Sequence, residues 1–143
     1  MKWVISEALS IERIKIAIAD LPPSLRGTKI VQLSDFHYDG LRLSEKILAD
    51  AVEATNQAEA DVVVLTGDYI TNEPQPIHQL VRRLKYLESR IGIFAILGNH
   101  DLYHYNSKTL VTDALTRIGI QVLWNEIAYP FGEKLPLQRF PLL

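Results

Sequence analysis

The sequence contains no cysteine. That excludes a disulfide framework, a thiolate metal site and a cysteine nucleophile, and it favours a cytoplasmic setting. No apolar run approaches the ~20 residues that a membrane span needs. The opening Met1-Lys-Trp-Val-Ile-Ser-Glu-Ala-Leu is too short and turns acidic too soon for a secretory leader, so the chain reads as soluble. An excess of one charge is missing as well. The formal net charge is −2 and no basic cluster occurs, so electrostatics gives no reason to expect a nucleic-acid partner. Neither common type of Gly-rich phosphate loop is present, which counts against a plain nucleotide- or phosphate-binding module. There is no internal repeat and no low-complexity stretch.

What is present is enough for one domain with a real core: 143 residues, 48% of them hydrophobic. Three apolar stretches end in chemistry. Ile30-Val-Gln-Leu-Ser-Asp-Phe-His37 runs from β-branched residues into Asp35 and His37. Asp61-Val-Val-Val-Leu-Thr-Gly-Asp68 ends in Gly67 and Asp68. Ile91-Gly-Ile-Phe-Ala-Ile-Leu-Gly-Asn-His-Asp101 ends in Gly98, Asn99, His100 and Asp101. Alternate residues of a strand share a face, so strand geometry carried to the last residues sets Asp35 and His37 side by side. The carboxyl ends of strands are where open α/β sheets hold ligands.

The scaffold reads in order. Ile14, Ile16 and Ile18 alternate with Lys15, Ala17 and Ala19, which predicts a half-buried opening strand over Ile11–Ala19. The stiff connector Leu21-Pro-Pro-Ser-Leu-Arg-Gly27 then returns the chain beside the next strand. Strands are predicted over about Thr28–Ser34, Val62–Thr66, Ile93–Leu97 and Ile120–Trp124. The unbroken apolar runs of the second and third suit strands covered on both faces. Between them Ile47, Leu48, Ala51, Val52 and Ala54, then Ile77, Leu80, Val81, Leu84 and Leu87, then Leu110, Val111, Ala114, Leu115 and Ile118 recur at helical spacing. Ser44 and Ser107 are candidate N-caps, and Gly119 is a candidate helix stop. The fold class is α/β, a mostly parallel sheet with covering helices and right-handed crossovers.

Asp35, His37, Asp68 and Asn99 offer carboxylate, imidazole and amide oxygen, a mixture suited to Mn²⁺, Fe²⁺, Co²⁺ or Zn²⁺. Asp68, on the strand between the other two, is the bridging candidate for a two-ion centre, whose ions lie ~3.5–4 Å apart and clamp a phosphate. Such a centre needs the Asp35 and Asp68 carboxylates within about 8 Å of each other. His100 is the candidate catalytic acid, with Asp101 to orient its ring. Taken singly these residues have plainer readings: turn aspartates, an Asx-turn asparagine, turn glycines. His78 reads as a solvated helix residue, His104 as a loop residue beside the cleft, Tyr69 as core or metal-proximal, and Trp3 and Trp124 as core or edge packing.

Together, Asp35-Phe-His37, Gly67-Asp68 and Gly98-Asn99-His100-Asp101 resemble, in order and spacing, the first three signature motifs of the calcineurin-like metallophosphoesterases. The connector and the run Ile-Val-Gln-Leu-Ser-Asp are similar to the branch of bacterial and plant-type phosphodiesterases related to UDP-2,3-diacylglucosamine pyrophosphatases. The resemblance covers about Ile11 to Gly132. It implies metal-assisted hydrolysis of a phosphomonoester, phosphodiester or pyrophosphate bond. It also implies two divalent ions held by Asp35, His37, Asp68 and Asn99, with His100 catalytic and Asp101 its partner. Family members carry further Gly-His and Gly-His-x-His segments, yet no histidine follows His104 here. The expectation is therefore an N-terminal half: residues 1–133 a partial domain, half of a β-sandwich flanked by helices, and 134–143 an unassigned tail. Such a half would bind at most one ion weakly, hydrolyse poorly, and self-associate or need a complementary C-terminal fragment. The competing expectation is a noncatalytic fragment or pseudoenzyme that only binds metal or phosphate.

Overall fold

The computed structural model describes residues 9–132, so Trp3 and the 134–143 tail lie outside it. Four parallel strands, β1 (Ile30–Leu33), β2 (Val62–Leu65), β3 (Gly92–Ala95) and β4 (Gln121–Val122), form one sheet in the order β1-β2-β3-β4. The helices α1 (Glu45–Gln57), α2 (Ile77–Leu84) and α3 (Ser107–Arg117) make the crossovers. Each strand is shorter than its apolar run. The ladder stops where the polar strand-end residues leave extended geometry.

Local chemistry sets the helix ends. Ser44 caps α1, its Oγ accepting the N–H of Ile47 at 3.2 Å. Gly119, at φ +88°, stops the chain after α3, with its N–H on the Thr116 carbonyl. Ser107 does not cap α3. It is the first residue inside the helix, fully buried, and its Oγ has no hydrogen-bond partner.

Strand order equal to chain order has a geometric cost. Right-handed crossovers that always step in one direction put every helix on the same face. Leu48 and Val52 of α1, Ile77, Leu80 and Leu84 of α2, and Val111 and Leu115 of α3 pack against Val63, Leu65 and Ala95 from that side. A fully buried side chain of this size stabilises by roughly 1.5–3 kcal/mol. The opposite face carries Ile30, which is 51% exposed, and half-buried Val64 and Phe94. The apolar strand runs that predicted cover on both faces thus have helices on one, and no second sheet forms among the described residues.

The opening strand is a correction. Residues 11–18 form no strand, and Ile14, Ile16 and Ile18 are 78%, 77% and 59% exposed. Alternation makes a strand only where a neighbour supplies backbone partners. This segment does not pair with the free edge of β1, so the proline-rich connector does not fold it back.

Candidate metal centre

The β1–β2 ladder continues past the strands as isolated backbone bonds between two loops. The N–H groups of Asp35, His37 and Tyr38 donate to the carbonyls of Gly67, Asp68 and Tyr69 at 3.1, 2.9 and 2.8 Å. Asp35, His37 and Asp68 nevertheless sit at φ +55°, +41° and +55°, a region that L-residues seldom occupy and that costs of order 1–3 kcal/mol each. Strand alternation is therefore not what brings Asp35 and His37 together. The left-handed turns at three candidate ligands do it.

The side chains converge closely. His37 Nε2 lies 3.6 Å from Asp35 Oδ1 and 3.7 Å from Asp68 Oδ2, which satisfies the two-carboxylate limit. Ligand atoms of His37, Asp68 and His100 all lie within 4.8 Å of one another. The His37 and His100 rings meet edge to face at 4.7 Å. No Lys or Arg among the described residues forms an ion pair with Asp35 or Asp68. Two carboxylates about one imidazole, without a neutralising side-chain cation, make a donor set that fits a divalent ion. β2, carrying Asp68, is indeed the strand between β1 and β3.

Two glycines make this approach possible. A Cβ on Gly67, itself at φ +100°, would stand 2.5 Å from the Gly98 nitrogen, and a Cβ on Gly98 would enter the Asp68 carboxylate. The β2 and β3 ends are in backbone contact, which brings the Asp68 and His100 segments together. The N–H of His100 donates to Asp68 Oδ1 at 3.0 Å.

Asp101 is the second correction. It is fully buried, and its carboxylate accepts backbone N–H bonds from Asp68, Tyr69, Ile70 and Gly98 at 2.8–3.3 Å. Burial pushes its carboxyl above the usual range, while those four N–H groups pull it back. Asp101 thus ties the β2 loop to the β3 loop. The ring of His100 is held instead by the Thr71 carbonyl, 2.6 Å from Nδ1. A carbonyl can only accept, so Nδ1 carries a proton and Nε2 is the nitrogen left for the centre.

Asn99 lies at the same edge, exposed, and its Nδ2 donates to Tyr103 Oη at 3.2 Å. The Tyr103 ring packs on His100, centroids 4.6 Å apart. Neither Thr71 nor Tyr103 stands out in the sequence, since one acts through its main chain and the other is a lone loop tyrosine. Tyr69 belongs to the core: fully buried, with its hydroxyl between the carbonyls of Leu65 and Ile96 at 3.0 and 2.9 Å. His78 is exposed, and His104 faces Glu73 at 3.7 Å. Trp124 is partly exposed under Lys108, whose Nζ is 3.7 Å from the ring centroid. A cavity of about 450 Å³ between α1 and α2 shares no residue with this centre.

The chain has recognisable relatives. An uncharacterised metallophosphoesterase of Campylobacter jejuni is 33% identical over 70% of this chain and 26% of its own length. A transmembrane protein with metallophosphoesterase domain from Bos taurus is 31% identical over 82% of this chain and 26% of its own length. A UDP-2,3-diacylglucosamine pyrophosphatase of Chlamydia muridarum is 29% identical over 77% of this chain and 35% of its own length. The chain therefore spans about a quarter to a third of the length of these curated relatives. No solved structure matches it significantly. No helix among the described residues is long and apolar enough to cross a membrane. Residues 28–137 match the sequence model of the calcineurin-like phosphoesterases, and with the three motif segments gathered at one sheet edge, the chain belongs to that family.

Proposed function

We propose that this chain supplies the metal-binding edge of a phosphoesterase that hydrolyses a phosphomonoester, phosphodiester or pyrophosphate bond. The observation that carries the reading is His37 Nε2 between the Asp35 and Asp68 carboxylates at 3.6 and 3.7 Å, with His100 beside it. Asp35, His37, Asp68 and Asn99 are the residues that would hold divalent metal, with Asp68 shared if two ions bind. A bound divalent ion would supply Lewis-acid polarisation of the phosphoryl group and activation of the attacking water. His100, its Nδ1–H held by Thr71, turns Nε2 toward the centre, and as the doubly protonated imidazolium it would give the Nε2 proton to the leaving oxygen. Asp101 keeps the Asp68 and Gly98 backbones in position for this. The printed name of the Chlamydia muridarum relative makes a pyrophosphate linkage the first substrate class to try. The cysteine-free composition supports a cytoplasmic setting.

One observation favours an impaired version of this activity. Among the described residues the candidate group for a metal is a single His37, Asp68, His100 set. We take residues 1–133 as a partial domain that holds one ion weakly, and the open sheet face around Ile30 as a surface for self-association or a complementary C-terminal segment. The test is to load the purified chain with Mn²⁺ and assay bis-p-nitrophenyl phosphate and a pyrophosphate diester, with sedimentation alongside. Saturable Mn²⁺ binding with little turnover is expected. Robust turnover by a monomer, abolished in His100→Ala, would overturn the impaired reading and keep the phosphoesterase one. Absence of Mn²⁺ binding would overturn both.

A further inference from the structure

Thr71 reaches the centre twice. Besides its carbonyl, which accepts the Nδ1–H of His100 at 2.6 Å, its Oγ1 donates to the carbonyl of His37 at 2.9 Å. Neither direction is open to choice, since a carbonyl only accepts and the hydroxyl and the ring nitrogen must donate. The hydroxyl bond falls at a point of backbone strain. His37 sits at φ +41°, and a non-glycine residue stays in that region only where its surroundings hold it there. The peptide before His37 is held by the His37 N–H on the Asp68 carbonyl at 2.9 Å. The peptide after it is held at both ends, by the Tyr38 N–H on the Tyr69 carbonyl at 2.8 Å and by Thr71 Oγ1. Thr71 follows directly on the Tyr38–Ile70 bridge, and a β-branched side chain is stiff at χ1, so the hydroxyl is itself well placed. One residue thus fixes the backbone of one histidine and the ring of another, and those two rings meet edge to face at 4.7 Å. We propose that Thr71 is a positioning residue that joins His37 to His100, its hydroxyl keeping the left-handed turn that aims His37 and its carbonyl keeping the His100 ring beside it.

This inference rests on the reading of His37 as a metal ligand, and it can fail separately from it. The experiment titrates Mn²⁺ alone, by calorimetry, into the full 143-residue chain and into Thr71→Val, Thr71→Ala, Thr71→Ser and His37→Ala. Denaturant melts of each, and nitrogen-15 spectra of the histidine side chains before metal is added, run alongside. Loss of a neutral hydrogen bond in Thr71→Val should weaken Mn²⁺ binding about three- to tenfold, and the side-chain signals of both His37 and His100 should move. Thr71→Ser keeps the hydroxyl and should restore affinity and signals. Thr71→Ala removes the hydroxyl without setting a methyl group against the His37 carbonyl, and an equal loss is expected. A loss confined to Thr71→Val would be a clash, and would overturn the proposal. A lowered melt with affinity and both sets of signals unchanged would make Thr71 a merely structural residue and overturn it too. Movement of the His37 signals alone would overturn the link to His100. Unchanged affinity in Thr71→Val and Thr71→Ala beside a weakened His37→Ala would overturn the role of Thr71 and leave His37 a ligand. Unchanged affinity in His37→Ala would overturn the ligand reading and the inference with it.

Discussion

Gly98 lies so close to Asp68 that a methyl group on its Cα would enter the Asp68 carboxylate and stand 2.5 Å from the Asp68 nitrogen. The nearest obstacles include backbone, which cannot swing aside. Gly98→Ala should therefore destabilise the fold by about 1–3 kcal/mol and weaken Mn²⁺ binding beyond what that stability loss explains. Paired denaturant melts and Mn²⁺ titrations would check both halves, and an unaffected titration would count against the packing argument.

Asp68→Asn should weaken Mn²⁺ binding more than any other single change at the centre. It removes a charge from a ligand while keeping the shape, and changes even one shell further out cost 10–100-fold in affinity. Calorimetry on this variant should show a loss of at least about tenfold. Equal binding by wild type and Asp68→Asn would refute the assignment.

Asp101→Asn distinguishes an anchor from a ring partner. Four backbone N–H groups converge on this buried carboxylate, and an amide turns donors of its own toward them. Each unmade buried bond costs about 1–3 kcal/mol, and the losses do not add fully. A stability loss of about 2–5 kcal/mol is expected, larger than for His100→Ala. A fully stable Asp101→Asn chain would restore the orienting role.

The tautomer of His100 is open to direct observation. With the Thr71 carbonyl 2.6 Å from Nδ1, the neutral ring should carry its proton there. Nitrogen-15 spectra of the histidine side chains should show His100 as the Nδ1–H form, and an Nε2–H form would contradict the orientation assigned to Nε2.

Glu45 should make a small, pH-dependent contribution. Its carboxylate accepts from Arg83 at 2.9 Å and from the Tyr38 hydroxyl at 3.1 Å, and the Arg83 bond first of all holds it below the usual glutamate range. A depressed carboxyl contributes stability that is present above its unfolded value, near 4.5, and is lost as pH falls through the lower folded value. Denaturant midpoints of wild type and Glu45→Gln should differ at pH 7 and converge as pH falls through the lowered folded value of Glu45.

Much of this was legible in the residues. The three apolar runs that end in Asp, Gly and His marked the strands, the helical spacing marked the core faces, and Gly119 and Ser44 marked helix ends through chemistry that is local. What escaped depends on partners far away in the chain. Ile14, Ile16 and Ile18 alternate well enough for a strand, but a pattern cannot report that no neighbour pairs with it. Asp101 beside His100 in sequence suggested a pair, yet four N–H groups from two loops compete for its oxygens and win. The left-handed backbones of Asp35, His37 and Asp68 carry no sequence mark stronger than the tolerance of aspartate for that region.

The chain-order winding of the sheet also sets a timetable. Every strand after β1 pairs with the one made just before it, so the sheet can be laid down in the order of synthesis, every new β-α unit docking on an edge that already exists. The centre cannot follow that schedule. Asp35 and His37 emerge early, but the contacts that hold their companion Asp68 come from Gly98, packed against Gly67, and from Asp101, which gathers the N–H groups of both loops. On a ribosome, metal affinity should therefore appear as a late step, switched on by the arrival of the third strand rather than growing with chain length.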